Sequence, residues 1–164
     1  MPIITTQDGS QSVFSEKYGV TYHSRFGAVT ESAHVFINAG LRYKAAVQRE
    51  IAILETGFGT GLNAFMSWLE AERRNLRVHY TGLEIAPVSL DEARQMNYAD
   101  MLGAPDRAAD FLSLHACDWG KTLTCSEYFD FRKEQTSIET FEAESAFDVI
   151  FFDAFAPQAQ PELW

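Results

Sequence analysis

Glu50-Ile51-Ala52-Ile53-Leu54-Glu55-Thr56-Gly57-Phe58-Gly59-Thr60-Gly61 runs directly into Leu62-Asn63-Ala64-Phe65-Met66-Ser67-Trp68-Leu69. Residues 51 to 54 are apolar and end in an acid. Apolar residues then recur at 62, 65, 66 and 69, the spacing of one helix face. The stretch predicts a strand, a glycine turn and a helix, the opening unit of a nucleotide-binding α/β sheet. A chain that leaves a strand and turns at once into a helix needs dihedrals that a β-carbon disfavours, and glycine tolerates them. A missing side chain also lets a ligand lie against the backbone. The plain alternative is that Gly57, Gly59 and Gly61 only make a tight turn.

The glycine spacing separates two nucleotide ligands. The dinucleotide fingerprint is G-x-G-x-x-G, with pyrophosphate at the helix N-terminus. Here it is G-x-G-x-G, with the carboxylate of Glu55 two positions before the first glycine. An acid so placed repels pyrophosphate. It suits S-adenosylmethionine (SAM), which carries a cationic sulfonium and an ammonium group and no phosphate. The SAM reading is preferred over the dinucleotide one.

Working outward, residues 3–24 hold short alternating stretches, Ser12-Val13-Phe14 and Val20-Thr21-Tyr22-His23, that predict a small antiparallel piece. Thr30 reads as an N-cap, Glu31 to Ala39 as a helix and Gly40 as its close. His34 lies on that helix and reads as structural. Residues 77–84 predict a second strand ending in Glu84, where doubly wound folds place the acid that accepts from ribose hydroxyls. Ser89-Leu90-Asp91-Glu92 is a capping box opening a helix to about Leu102, closed by Gly103 and Pro105. Phe111 to Cys117 alternates and predicts a third strand, finished by Asp118-Trp119. An acid there can accept the adenine amino proton while an aromatic ring lies on the base. Tyr128, Phe129 and Phe131 suggest an extra strand, and Ser137 to Ala143 a short helix. Phe147-Asp148-Val149-Ile150-Phe151-Phe152-Asp153 predicts a strand buried on both faces. Glu55, Glu84, Asp118 and Asp153 would then line one rim at the carboxyl ends of the strands.

Composition sets bounds. The chain has 164 residues and 46% hydrophobic residues, enough for a globular domain. No apolar run approaches the ~20 residues of a membrane helix, so no membrane partner is expected. Cys117 and Cys125 sit in no metal or redox spacing, no export signal is visible, and no metal is expected; a cytoplasmic protein fits. The net charge of −10 argues against broad, non-specific nucleic-acid binding. Two basic clusters, Arg42-Tyr43-Lys44 with Arg49, and Arg73, Arg74 with Arg77, read first as solvated helix ends or loops.

Asp153-Ala-Phe155-Ala-Pro157 resembles the D-P-P-[YF] element of enzymes that methylate amino groups. A carboxylate at that place can orient an amine and take its proton as the nitrogen attacks a methyl group. Phe155 can stack on a splayed base, and Pro157 stiffens the loop.

Glu55-Thr-Gly-Phe-Gly-Thr-Gly-Leu-Asn63, Asp153-Ala-Phe-Ala-Pro157 and Gln160-Pro-Glu-Leu-Trp164 together resemble the methyltransferase domain of the MnmC-type tRNA-modifying enzymes. Asp8-Gly-Ser10, Phe14-Ser-Glu16 and His34-Val-Phe36 resemble it too, so the likeness spans nearly the whole chain. The resemblance implies an α/β class I SAM-dependent methyltransferase (Rossmann-like) sheet with a small N-terminal antiparallel β extension. It divides the chain into an extension, 1–40, and a SAM-binding domain, 41–164, acting as one unit. It implies SAM-dependent N-methylation of 5-aminomethyl-2-thiouridine at the tRNA wobble position, with tRNA as substrate and a flavin-dependent oxidoreductase of the same pathway as a further partner. The form resembled is the stand-alone one. Family members continue where this chain stops, at Trp164, so the sheet is expected to be incomplete there, with strand 147–153 as an exposed apolar edge. The implied cofactor set is Glu55, Gly57, Phe58, Gly59, Gly61, Asn63, Glu84, Asp118 and Trp119; the catalytic set is Asp153, Phe155 and Pro157. Two rival readings stand beside it: a polyamine-synthase-like aminopropyl transferase, and a SAM- or tRNA-binding fragment without turnover.

Overall fold

The computed structural model describes residues 1–155 and 157–163, with Glu162 described by its backbone alone. Ala156 and Trp164, which belong to the motifs quoted above, lie outside the described residues. Three short strands, β1 (Ile3–Thr5), β2 (Gln11–Ser15) and β3 (Val20–Thr21), pair antiparallel in the order β1-β2-β3. A continuous helical stretch follows: α1 (Ala28–Ser32), a π-wound segment Ala33–Arg42 and α2 (Tyr43–Ala45). Then come β4 (Glu50–Thr56), α3 (Leu62–Arg74), β5 (Arg77–Leu83), α4 (Leu90–Ala93), α5 (Tyr98–Met101), α6 (Ala108–Ala116), β6 (Thr122–Ser126), β7 (Phe129–Glu134) and β8 (Val149–Phe152). The main sheet has the order β6-β7-β5-β4-β8, all parallel except β6, which runs antiparallel to β7. The strands β7-β5-β4-β8 reverse direction of winding at β4, so a crevice opens beyond the carboxyl ends of β4 and β8.

One face of this sheet is packed. Ile51, Ile53, Val78, Tyr80, Phe129, Phe131 and Phe151 are all buried on it. The helix α3 covers it with Phe65 and Trp68, whose indole stacks on Phe129 at 5.8 Å between centroids and 4° between planes. The π-wound segment packs beside β8, Phe36 lying 5.2 Å from Phe151. On the opposite face of β8, Ile150 is 60% exposed and Phe152 37% exposed. The expected exposed edge is therefore present, whereas burial of this strand on both faces is not.

Several expectations need correction. Residues 111–116 are not strand but belong to α6, and Cys117 is its extended cap. Leu112, Leu114 and Ala116 alternate with Ser113 and His115 as in a strand, but the buried pair is Phe111 and Leu114, three apart on one helix face. The third parallel strand is β7, the segment read as an extra strand. The helix opened by Ser89 has its capping box, with Ser89 N donating to Glu92 Oε2 at 2.9 Å, but stops at Ala93 and resumes at Tyr98. Gly103 does close it, at φ +68°. Ser137–Ala143 forms one turn and no helix, because Ser137 and Thr140 bond to one another locally. Gly40 does not end its helix. It sits inside the π-wound segment against Phe151, where a β-carbon would come within 2.7 Å of the ring. The same helix runs through residue 40. It starts at Ala28, not Thr30, and its cap is borrowed: Asp8 Oδ2 accepts from Thr30 N at 3.0 Å and from Thr30 Oγ1 at 2.9 Å.

The basic clusters are anchors within the fold. Glu70, 5% exposed, accepts from Arg42 Nε at 2.6 Å and from Arg73 Nη2 at 2.8 Å, and pairs with Arg74. Burial alone would raise its pKa, but the three guanidiniums hold it down to about 2. Arg49 donates to the Arg74 carbonyl at 2.6 Å, closing the end of α3. Among the described residues, no helix is long and apolar enough to cross a membrane, and no cluster of metal-ligating side chains occurs.

Candidate active site

The glycine loop sits where the sequence places it, between β4 and α3, with Gly57, Gly59 and Gly61 all at positive φ, +86°, +52° and +77°. Its neighbours explain why each lacks a side chain. A β-carbon on Gly57 would meet the Asp153 carbonyl at 2.7 Å, one on Gly59 the Tyr22 ring at 2.9 Å, and one on Gly61 the His115 Nε2 at 2.8 Å. The space freed by the glycines is thus taken first by the protein itself. Gly57 N and Phe58 N both donate to the Leu83 carbonyl, at 3.0 and 2.9 Å, which seats the loop on the end of β5.

His115 and Glu84 fix the loop from two sides. His115 Nε2 donates to the Thr60 carbonyl at 3.0 Å, since a carbonyl can only accept. Burial pushes the His115 pKa down to about 4, so the ring is neutral at ordinary pH. Glu84, 7% exposed, accepts from Gly59 N at 2.8 Å and from Ile85 N and Ala86 N at 2.8 and 2.7 Å. It lines the cleft, with one lone pair, on Oε2, left for a ligand hydroxyl.

The cleft floor is an acid pair held by one amide. Asn63 Nδ2 donates to Glu55 Oε1 and to Asp153 Oδ2, each at 2.9 Å. Glu55 is 1% exposed. Burial, with the nearby charge of Asp153, pushes its pKa well above the carboxylate range. Burial likewise raises Asp153 to about 7; the Asn63 N–H opposes the shift and Glu31 adds to it. Both acids line a cleft of about 860 Å3, counting its open part.

A cationic methyl donor, the cofactor expected from the sequence, fits this donor set. Thr56 Oγ1 and Asn63 Oδ1 are buried and have no hydrogen-bond partner among the described residues, while the Tyr80 hydroxyl lies beside Glu55. Buried oxygens left without donors are costly, and an ammonium or hydroxyl ligand supplies what they lack.

The structure does not bring every expected residue to the cleft. Phe58 does line the cleft, with its ring turned into the core 5.3 Å from Phe131 and 5.1 Å from His115, but three others do not. Asp118 stands 70% exposed in a turn after α6, bonded to Lys121 at 2.8 Å. Trp119 lies instead over the ammonium of buried Lys133, at 4.6 Å, while Lys133 Nζ donates to the His115 carbonyl near the end of α6. Because residues 108–116 are α6 and not a strand, both follow a helix; neither lines this cleft, and Trp119 lines a neighbouring cavity with Phe58, Pro87 and Lys133. Pro157 is exposed in a turn and does not line the cleft.

Conversely, Tyr18, Tyr22 and His23 of the N-terminal piece line the cleft, as do Thr136 to Glu139 after β7, and Gln160. His23 is buried, bonded to Ser12 Oγ at 3.1 Å, and lowered to about 4 by burial. The sequence carried no local signal for the tyrosines; for Thr136–Glu139 it was the end of β7.

Fold and site together define a Rossmann-like domain of the class I methyltransferase type, a four-strand parallel arrangement with a glycine loop and acids at the strand ends. Among known proteins it is related to the MnmC-type tRNA-modification proteins. It is 32% identical over 99% of its length to the tRNA 5-methylaminomethyl-2-thiouridine biosynthesis bifunctional protein MnmC of Delftia acidovorans, covering 26% of that protein. To the namesake from Paraburkholderia xenovorans it is 26% identical over 100% of its length, covering 27% of that protein. The solved structure of MNMC2 from Aquifex aeolicus matches with a TM-score of 0.73 and 27% identity over 99% of this chain and 52% of that one. The chain thus spans about a quarter of the curated relatives it matches. No protein-family model matches it.

Proposed function

We propose that this chain is a SAM-dependent N-methyltransferase that converts 5-aminomethyl-(2-thio)uridine at the tRNA wobble position into 5-methylaminomethyl-(2-thio)uridine. The observation that carries it is the Glu55–Asn63–Asp153 bridge beneath a glycine loop, in a chain related to proteins named for making that nucleoside. SAM, when bound, supplies a methyl group whose bond to sulfur breaks as the bond to nitrogen forms. Glu84 holds a ligand hydroxyl, and the Gly57–Gly61 turn with Thr56 and Asn63 offers buried acceptors to a cationic end. Asp153 faces the amine. It orients the nitrogen by accepting an N–H and takes the proton that the new secondary amine gives up. A pKa near 7 lets it do so near neutral pH. Positioning of the two reactants in the closed cleft supplies most of the acceleration.

The primary amine must come from a prior oxidation–reduction step, which we assign to a flavin-dependent oxidoreductase acting in the cytoplasm on the same tRNA. The test is label transfer from methyl-labelled SAM to tRNA lacking the final methyl group, followed by digestion to nucleosides. Label in 5-methylaminomethyl-2-thiouridine supports the proposal. Label in another nucleoside, or transfer to a polyamine instead, overturns it.

A further inference from the structure

Two rings from the N-terminal piece reach the cleft. Tyr18 lies in the turn between β2 and β3, and Tyr22 directly follows β3. Both are half-buried and line the cleft. Phe155 stands between them: its ring centroid is 5.0 Å from Tyr18 at 47° and 5.1 Å from Tyr22 at 80°. Phe155 is two residues beyond Asp153, so the group of rings begins beside the reacting carboxylate. At its other end the Tyr22 ring rests on the bare backbone of Gly59. The three rings therefore span from the cofactor loop to the acceptor loop.

We infer that Tyr18, Tyr22 and Phe155 form an aromatic clamp for the planar base of the acceptor nucleotide, so that the N-terminal sheet is part of the substrate site. The inference rests on the proposed transfer to a nucleoside amine and adds its recognition. Charge makes the case. The chain carries a net −10, and its basic clusters are committed to Glu70, Asp130, Asp148 and the end of α3. Such a protein gains little from phosphate contacts and has to hold a nucleotide by its faces. Stacking on aromatic rings needs no charge and contributes on the order of 1–3 kcal/mol per base. The same ring faces accept the cationic aminomethyl arm on its way to Asp153. Lys17 Nζ, 2.9 Å from the Tyr18 hydroxyl, adds a positive charge at the rim.

A thermodynamic cycle tests the clamp without turnover. Wild type, Tyr22→Leu, Tyr18→Leu and Tyr22→Phe are titrated, with S-adenosylhomocysteine present, against two anticodon stem-loop RNAs. One carries 5-aminomethyluridine at the wobble position, and the other has no base there. Wild type is expected to prefer the base-bearing RNA about tenfold. Each leucine variant should lose most of that preference while binding the abasic RNA as wild type does, and Tyr22→Phe should keep it. Kd for S-adenosylhomocysteine should stay within about twofold. Preference retained in both leucine variants overturns the clamp. So does a loss shared equally by both RNAs, or a wild type without preference. A wild type that shows the preference but moves no methyl group sinks the reaction and leaves the clamp standing. Methyl transfer with a preference indifferent to the tyrosines does the reverse.

Discussion

Asn63 and Asp153 are joined across the cleft floor by one N–H···O bond of 2.9 Å, and the same amide nitrogen donates at 2.9 Å to Glu55. One side chain thus holds a buried carboxyl, Glu55, and a half-buried one, Asp153, and favours the charged form of each.

Replacing Asn63 with leucine keeps the volume and removes the donor. The Asp153 pKa should then rise, because the bond that favoured its anion is gone. A charge-assisted bond contributes roughly 1.5–3 kcal/mol, so the acid limb of the pH–rate profile should move up by about one unit or more. Profiles of methyl transfer in wild type and Asn63→Leu measure it. An unmoved limb with weakened cofactor binding would instead make Asn63 a cofactor ligand only.

Cofactor charge and proton count should be linked. With Glu55 held well above its usual range and Asp153 near 7, the empty pair holds protons at neutral pH. A sulfonium beside it favours the anions. SAM binding should therefore release more protons than binding of S-adenosylhomocysteine, which has the same amino group and no sulfonium. SAM affinity should also rise with pH between about 6 and 8. Calorimetry of both ligands in buffers of different ionisation enthalpy reads the difference directly. Equal proton release for the two would count against a charged partner at the floor.

Asp153→Asn should abolish methyl transfer and yet stabilise the protein. An acid whose folded pKa is raised, here from 3.8 to about 7, weakens the fold wherever the unfolded chain would ionise it. The cost is absent below about pH 4 and fully present above about pH 7. Melting at pH 8 should show a gain on the order of 2–4 kcal/mol, vanishing near pH 4. A variant that is no more stable at pH 8 would place Asp153 in a wetter setting.

Gly61→Ala should be among the most damaging small substitutions. The residue has φ +77°, and the new carbon would press on His115 Nε2 at 2.8 Å and Phe58 at 3.0 Å. A strained backbone of this kind costs ~1–3 kcal/mol, which for a chain of this size lowers Tm by roughly 3–10 °C. Thermal melts decide it, and an unchanged Tm would mean the loop yields freely.

Legibility followed locality. The β4–loop–α3 unit was readable because strand, glycines and helix face lie within residues 50 to 69. Glu84 and Asp153 were readable because each directly follows an apolar strand. Asp118 and Trp119 were not, since Leu112, Leu114 and Ala116 alternate as in a strand while Phe111 and Leu114 keep a helix's spacing within the same seven residues. The tyrosines of the clamp were hidden for another reason. Nothing within residues 18–22 says that this turn packs against Phe155, more than 130 positions away.

Asp8 ties the first strands to the helix behind them. Burial would raise its pKa, but bonds from Ser10, Thr30 and Thr6 hold it well below the usual range. The roof of the cleft and the start of α1 therefore share one fastening. Lifting the Tyr18–Tyr22 segment away while keeping Thr30 bonded would require the β1–β2 turn to stay behind. Opening should accordingly be a single cooperative excursion, with the amides of Ser10 and Thr30 exchanging hydrogen at one common rate. Because that fastening is an ionised carboxylate, its contribution is whole above about pH 4 and fades as acid protonates it. The roof should therefore stay fastened through mild acid and loosen only in strong acid, well below pH 4.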